Sequence, residues 1–235
     1  MREPRQPEEP AEQAARRLDL RPLLPPVRDQ GMRGTCLAFA LTAAHEIARA
    51  GGKQVREDLS EAALYWGCKQ IDGDTGSGSE WTSAAAALER WGQPPEEWWP
   101  YNGDLEAEGA QPPAGALDPG TGHHARLRPV DSSVEKIKRE LHQGRAVALG
   151  LWLSRGFFAP VRGYIPFDGP ADLIDEGHAV LVVGYDDGTA PESGVLIIRN
   201  SWGAEWGDAG YGYLPYAYLE TGASAWVVEP EPAPG

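Results

Sequence analysis

The order of the predicted elements favours an α+β protein built from two lobes. Apolar residues at helical spacing dominate the first half of the 235-residue chain, whereas short apolar runs typical of strands dominate the second half. A Gly- and Pro-rich stretch, 102–126, separates the two halves and is typical of a crossover. We therefore expect a helical lobe over about 35–101, a strand lobe over about 127–228, and a binding site in the cleft between them.

Four helices are predicted, each from its apolar positions and from a residue that starts or ends it. The first covers about 35–50 and is apolar nearly all round, which indicates a buried helix that ends at Gly51. The second begins near Ser60, a residue type favoured as N-cap. The other two are expected at 82–91, ended by Gly92, and at 133–143, ended by Gly144.

Five strands are predicted in the second half, where β-branched and aromatic residues concentrate. Segments 1–19 and 229–235 are rich in Pro and acidic residues and lack apolar periodicity, so we expect both to be disordered. The folded domain is therefore expected to span 20–228. The predicted strands are Ala146–Trp152, Ala179–Tyr185, Val195–Arg199, Tyr211–Pro215 and Ala225–Val228.

Charge and hydropathy exclude several classes of partner. The formal net charge is −14, so the chain repels phosphate backbones and anionic membrane surfaces, and we expect neither nucleic acid nor membrane as a partner. No stretch approaches the ~20 consecutive apolar residues of a membrane span. His123 and His124 are adjacent, but nothing nearby completes a ligand set, so we expect no metal and no other cofactor. The sequence carries no signal for the oligomeric state.

The two cysteines, Cys36 and Cys68, indicate the redox state of the compartment in which the protein resides. A disulfide between them would consume Cys36, the candidate nucleophile described below, so we expect no structural disulfide and a reducing environment. Residues 1–13 alternate charge, Pro and Gln without an apolar run, and no signal peptide is visible. Together these observations predict a cytoplasmic protein.

Separated segments supply the groups that acyl transfer through a thioester requires. Cys36 lies at the first turn of the first helix, where the helix dipole stabilises a thiolate. His178 starts an apolar strand and can serve as base, and Asn200 ends another strand and can fix the imidazole tautomer. Gln30 can donate to an oxyanion together with the Cys36 backbone N–H. Each residue taken singly has an ordinary structural explanation, whereas the set favours catalysis.

The surrounding sequence resembles the papain-like cysteine peptidases over about 20–228. The resemblance implies a papain-like two-lobe fold with an antiparallel, β-barrel-like second lobe and the active site in the cleft. It implies that Cys36 is the nucleophile, His178 the general acid/base, Asn200 the residue that orients it, and Gln30 with the Cys36 amide the oxyanion hole. The segments that carry it are 26–31, 34–39, 59–61, 76–81, 99–101, 177–185 and 200–211.

The resemblance also implies a peptide or protein substrate. Gly78, in the Gly-rich wall 76–81, would pair with the substrate backbone, and Ser77 lies beside it in that wall. Gly177 precedes the base, and Trp202 would shield the hydrogen bond between His178 and Asn200. These four residues, Ser77, Gly78, Gly177 and Trp202, are the predicted substrate-binding positions.

The chain departs from the usual papain-type pattern in ways typical of a bacterial-type member. Arg33 stands where the family has a cysteine, so the usual disulfide is missing, Cys68 is left single, and we expect a less braced groove wall. Leu37 replaces an aromatic residue beside the thiol. Only 29 residues precede Gln30, so the long inhibitory propeptide of secreted relatives is not expected.

The predicted function is hydrolysis of peptide bonds through a thioester acyl-enzyme. One alternative is a non-catalytic peptide-binding module on the same fold, and others are a partner-specific maturation protease or an acyl transferase. Gly150 and Gly177 lie on segments expected to flank the groove, which indicates a roomy pocket for a bulky apolar side chain.

Overall fold

One antiparallel sheet forms the frame of the second half of the chain in this computed structural model, which describes residues 16–73, 76–118, 120–188 and 194–231. The strand order is β2-β7-β3-β4-β5-β6, and β1 pairs with β4 outside this path. The end strands β2 and β6 do not pair with each other within the described residues, so the sheet is open. The strands are β1 Arg17–Asp19, β2 Ala125–Val130, β3 Val147–Ser154, β4 Leu173–Asp186, β5 Val195–Arg199, β6 Tyr211–Pro215 and β7 Ser224–Pro230.

Four α-helices agree with the predicted helices to within a residue or two at the predicted starts and ends. Gly51 follows the first helix in the left-handed region at φ 57°, and Ser60 Oγ accepts a hydrogen bond of 3.1 Å from the Ala63 N–H, so the predicted stop and N-cap are both confirmed. Among the described residues no helix is long and apolar enough to cross a membrane. The helices are α1 Cys36–Ala50, α2 Glu61–Asp72, α3 Trp81–Arg90 and α4 Val134–His142.

The strand prediction differs from the structure at β4 and at β2. Strand β4 begins at Leu173 rather than at 179, so His178 lies inside the strand and not at its start. The reason is that 173–177 pair with β3 while remaining partly exposed, so this half of the strand lacks the continuous apolar run that marks the other half. Strand β2 was missed because its sequence, ARLRPV, contains a proline, a residue that disfavours the interior of a strand.

The predicted ends of the domain are also too narrow. Strand β1, with only three residues, lies in the segment expected to be disordered, and it pairs Leu18 with Tyr185 of β4. Strand β7 continues to Pro230, two residues into the predicted tail. So short a strand has too few residues to show a periodic pattern, which is why β1 could not be found. The remainder of these two predicted segments, 1–15 and 232–235, lies outside the described residues.

Helix α1 packs against the sheet and also against α2 and α3, which explains why it is apolar on nearly every face. Its buried side chains, including Leu41 and Ala44, share one core with Leu181 and Val183 of β4. The opposite face of the sheet forms a second core with α4, built around Ile137 and other buried residues. The sheet is therefore covered on both faces, and the start of α1 is fixed against β4.

A buried ion cluster ties the segment that precedes α1 to the helical lobe. Arg28 donates to Glu46 of α1 at 2.9 Å and to Glu61 of α2, and it also pairs with Asp58. Both Glu46 and Glu61 are 2% exposed, and Glu46 Oε1 accepts a further hydrogen bond from the Leu59 N–H. Burial raises the pKa of both carboxyls, and Arg28 opposes that shift.

We expect Arg28→Met to lower the free energy of unfolding at pH 8 by about 3–5 kcal/mol, because it leaves two buried carboxylates without their cation. Their raised pKa values mean that the folded state binds protons more readily than the unfolded state. The loss should therefore shrink as the pH falls towards 5 and the carboxyls become neutral. Urea unfolding followed by Trp fluorescence at both pH values measures it.

Arg49→Met is the matched control, because the Arg49–Glu57 pair is more exposed. We expect a loss below about 1 kcal/mol for this variant at either pH. Equal losses for the two variants at pH 8 would show that the Arg28 cluster contributes nothing beyond an ordinary surface pair.

Candidate active site

Cys36 is the first residue of α1, and its sulfur lies next to the backbone N–H of Ala179 in strand β4. The residue is partly buried, and burial raises the pKa of the thiol above its ordinary value. Hydrogen bonds from the backbone N–H groups of Ala179, Leu37 and Cys36 itself oppose that shift by stabilising the thiolate. The helix N-terminus favours negative charge at the same point. A thiolate here therefore has several partial positive charges around it.

His178 is held in one tautomer by Asn200. Its Nε2 lies 2.8 Å from Asn200 Oδ1, and the Ser201 N–H donates to the same oxygen at 2.8 Å. Because this atom is the acceptor of a backbone donor, it is the amide oxygen, and His178 Nε2 must carry the proton. His178 Nδ1 is then the basic nitrogen. The ring is only 7% exposed, and burial lowers its pKa to about 4, while the bond to Asn200 opposes that shift.

Aromatic rings cover His178. The Trp202 ring centroid lies 4.7 Å from that of His178, and Phe157 approaches edge-on at 5.6 Å. Phe157 also packs on Trp206, whose Nε1 donates to the Phe157 carbonyl at 3.0 Å. Trp202, predicted to shield the hydrogen bond between His178 and Asn200, therefore lies against the His178 ring. Phe157 was missed, because it lies on a short 3₁₀ turn after β3 that carries no periodic signal.

Gln30 is fastened to the segment that contains Asn200. Its Nε2 donates to the Arg33 carbonyl at 2.7 Å, and its Oε1 accepts from Ser201 Oγ at 2.6 Å. The Gln30 backbone N–H donates to the Ser201 carbonyl at 2.8 Å. These bonds use one of the two amide hydrogens on Nε2 and leave the other for a further acceptor. The side chain is 8% exposed and lies outside the lining of the cleft cavity.

The cleft between the lobes holds a cavity of about 480 Å³ that contains both Cys36 and His178 on its wall. Three of the four predicted substrate-binding residues, Ser77, Gly78 and Gly177, line it as well. The fourth, Trp202, lies behind His178 and is not part of the lining. The cavity thus brings thiol, imidazole and the Gly-rich wall to one surface.

Gly34 allows this wall to lie against the turn that carries the nucleophile. A Cβ atom placed on Gly34 would be 2.1 Å from Ser77 Oγ and 2.7 Å from the Gly78 backbone nitrogen. No side chain can be accommodated there without displacing backbone. The position of Gly78 relative to Cys36 therefore depends on a glycine two residues before the thiol.

Arg33, which stands where relatives of the papain type have a disulfide cysteine, makes several contacts from the same turn. Its guanidinium donates to the Asn102 carbonyl at 2.8 Å and to Glu108 at 3.2 Å. It also lies 5.2 Å and 5.3 Å from the ring centroids of Tyr65 and Tyr101. Polar contacts thus link the turn to the crossover segment, and cation–π contacts link it to Tyr65 and Tyr101.

Cys68 is a different kind of cysteine. It is 1% exposed within α2, and burial raises the pKa of its thiol to about 12. A thiol of this kind is almost entirely protonated near neutral pH and is a poor nucleophile. Both cysteines are free.

The sequence of this chain is similar to known cysteine proteases. A family model described as papain family cysteine protease matches residues 12–223. A cysteine protease of Blomia tropicalis is 31% identical over 213 residues, which cover 86% of this chain and 60% of the relative. Oryzain gamma chain of Oryza sativa subsp. japonica is 32% identical over 204 residues, which cover 80% and 51%. The chain therefore spans little more than half the length of these two curated relatives.

Solved structures of cysteine proteases are similar to this chain in fold. Xylellain, a cysteine protease from Xylella fastidiosa, matches with a TM-score of 0.74 and 29% identity over 92% of this chain and 86% of its own. Bromelain from Ananas comosus, solved in complex with the E64 inhibitor, matches with a TM-score of 0.72 and 20% identity over 92% and 99%, which is a likeness of fold alone. The predicted papain-like two-lobe fold is confirmed, and the chain belongs to the papain family of cysteine proteases.

Proposed function

We propose that this chain hydrolyses peptide bonds through a thioester formed on Cys36. The observation that carries the proposal is the 2.8 Å bond between His178 Nε2 and Asn200 Oδ1, which leaves Nδ1 as the base in a cavity shared with the thiol. His178 takes the proton of Cys36, and the thiolate attacks the substrate carbonyl. The resulting oxyanion accepts hydrogen bonds from the Cys36 N–H and from the free Nε2 hydrogen of Gln30.

His178 then returns the proton to the leaving amine, and the carbonyl re-forms as a thioester. In the second half of the reaction His178 removes a proton from water, which attacks the thioester and releases the carboxylic acid product. Each proton that leaves the thiol or the water is thus delivered to the amine or back to the sulfur. The ring contacts of Trp202 and Phe157 support this role, because they keep water from the bond that orients the base.

Burial favours transfer of the proton from Cys36 to His178 over ionisation of only one of these two side chains. Burial raises the pKa of Cys36 and lowers that of His178, so a single charge on either is unfavourable. A thiolate beside an imidazolium has no net charge, and backbone N–H groups solvate the sulfur. The desolvated pair is therefore suited to react when substrate excludes the remaining water.

The alternatives explain less of the geometry. A peptide-binding module would need the cleft but would have no need of Asn200 Oδ1 held by both His178 and the Ser201 N–H. A maturation protease specific for one partner and an acyl transferase use the same groups, and they differ in the substrate or in the final acceptor. Substrates are peptides or proteins under this proposal. The two free cysteines support a reducing, cytoplasmic location as part of it.

A peptidyl epoxysuccinate should add once to the wild-type protein at neutral pH, because its epoxide reacts with an accessible thiolate. We expect no adduct on Cys36→Ala and labelling at least ~100-fold slower on His178→Ala, which lacks the base. Cys68→Ala is the matched control and should label at the wild-type rate. Intact-mass spectrometry over time measures all four. An adduct that persists in Cys36→Ala and disappears in Cys68→Ala would contradict the assignment of the nucleophile.

Removal of the oxyanion donor should lower turnover rather than binding. We expect Gln30→Ala to reduce kcat on a peptide substrate by ~10²–10³ with KM nearly unchanged. Ser201→Ala is the control, because it removes the bond to Gln30 Oε1 but keeps the Nε2 donor. We expect that variant to lose less than tenfold. A comparable loss in both would indicate that Gln30 acts only by holding the Asn200 segment.

The pKa of the His178 imidazole should be low because the ring is buried. In Cys36→Ala, where no thiolate can stabilise the imidazolium, we expect the ring to stay neutral until about pH 4, since burial lowers its pKa to that value. Acidification therefore charges this ring only well below the ordinary range near 6.5. NMR of labelled imidazole measures the midpoint. A midpoint at or above 6.5 would contradict the burial described here.

A further inference from the structure

The backbone carbonyl of Arg33 fixes the side-chain amide of Gln30, the proposed oxyanion donor. Gln30 Nε2 donates to this carbonyl at 2.7 Å, and the Thr35 N–H donates to the same oxygen at 2.9 Å. A carbonyl oxygen can only accept hydrogen bonds, so the part of the Gln30 amide that faces it is the NH₂ group. One hydrogen of that group is directed at Arg33, and because the amide is planar the direction of the other hydrogen follows. A shift of the Arg33 carbonyl would therefore turn the hydrogen that is left for the oxyanion.

The Arg33 side chain is 6% exposed and is held by groups from outside the turn. Its Nε donates to Glu108 and its Nη1 to the Asn102 carbonyl, so two different nitrogens of one rigid plane are engaged. The same guanidinium lies over the rings of Tyr65 and Tyr101. These contacts fix the guanidinium in both position and orientation. The side chain therefore resists displacement of its own backbone carbonyl.

The two ends of the turn are held separately, by the Tyr101 hydroxyl. This hydroxyl donates to the Gln30 carbonyl at 2.7 Å and lies 2.7 Å from Thr35 Oγ1. Since its single hydrogen is used on Gln30, the hydroxyl accepts from Thr35. Cys36 follows Thr35 directly, so the nucleophile is fixed by a contact that does not involve Arg33. Loss of the Arg33 side chain would thus affect the Gln30 amide more than the thiol.

Building on the proposed peptidase function, we propose that Arg33 is a positioning residue that directs the Gln30 amide at the oxyanion. It acts through its own carbonyl, which is held in place by the contacts of its guanidinium with Asn102 and Glu108. Arg33 lies outside the lining of the cleft cavity and supplies no group to the reacting atoms. Its removal should therefore lower turnover through Gln30 and leave the thiol and the imidazole in place.

The test compares peptide hydrolysis with alkylation of Cys36 by iodoacetamide, a direct displacement that forms no oxyanion. In Arg33→Met, which removes the charge and the donors but keeps an unbranched side chain, we expect kcat to fall ~10-fold with KM nearly unchanged. The alkylation rate should stay within about twofold of that of the wild type, because the thiol and its base are undisturbed. Mass spectrometry of the peptide that carries Cys36 measures alkylation.

The Gln30→Ala background separates an effect through Gln30 from any other effect of Arg33. A residue that acts only through the Gln30 amide has no further effect once that amide is gone, so Arg33→Met should lower kcat by less than about twofold in this background. Arg33→Lys keeps the cation without the fork of donors and should lose less than Arg33→Met in the otherwise wild-type chain. It carries the same comparison if Arg33→Met does not fold.

Arg21→Met is the matched control, because Arg21 also donates to a carboxylate, that of Asp19, and lies over two tyrosine rings. Its kcat should equal that of the wild type. An unchanged kcat in the Arg33 variants, alkylation slowed as much as hydrolysis, or an undiminished loss in the Gln30→Ala background would each overturn the inference and leave the peptidase proposal intact. A wild type that is neither alkylated at Cys36 nor able to cleave peptides overturns both.

Discussion

The contact between the first turn of α1 and strand β4 is the constraint on which the site depends. It places the Cys36 sulfur against the Ala179 N–H, one residue after His178. A helix can be held this closely to a sheet only if its contacting face is apolar, and α1 is buried on its other faces by α2 and α3 as well. The all-round apolar character of α1 is thus a consequence of where its first residue must lie.

Polar contacts of the segment before α1 complete the arrangement. Arg199 donates to the carbonyls of Pro25 and Pro26, both at 2.7 Å, and the Gly203 N–H donates to the Arg28 carbonyl at 3.2 Å. This segment therefore runs alongside the one that contains Asn200, and Gln30 is fixed by the same pairing. The Arg199 guanidinium thus supplies donors to two backbone carbonyls in a segment that belongs to no helix or strand.

Much of the site could be predicted because its residues occur in short segments with distinctive neighbours. Cys36 before an apolar helix and Asn200 after an apolar strand are local patterns, and the helices and the strands β5 and β6 were found by periodicity. The stacking of Trp81 on Trp226 could not be found in this way, because the two residues belong to α3 and β7, which are distant in sequence. Strand β1 could not be found for the same reason, since its three residues form a strand only by pairing with β4.

The contacts that assemble the candidate active site join residues that are far apart in sequence, and this affects when in folding the site forms. Gln30 and Ser201 are 171 residues apart along the chain, and Arg199 and Pro25 are 174 apart. Loops of this length close more slowly than a helix or a hairpin forms. The chain loses conformational entropy on closure before it gains the contacts that closure allows. Helix α1 can carry a thiol early in folding, but the base and its orienting amide reach it only when the last long loops have closed. A nascent or partly folded chain would therefore hold Cys36 without His178, and the candidate active site would be assembled late in folding.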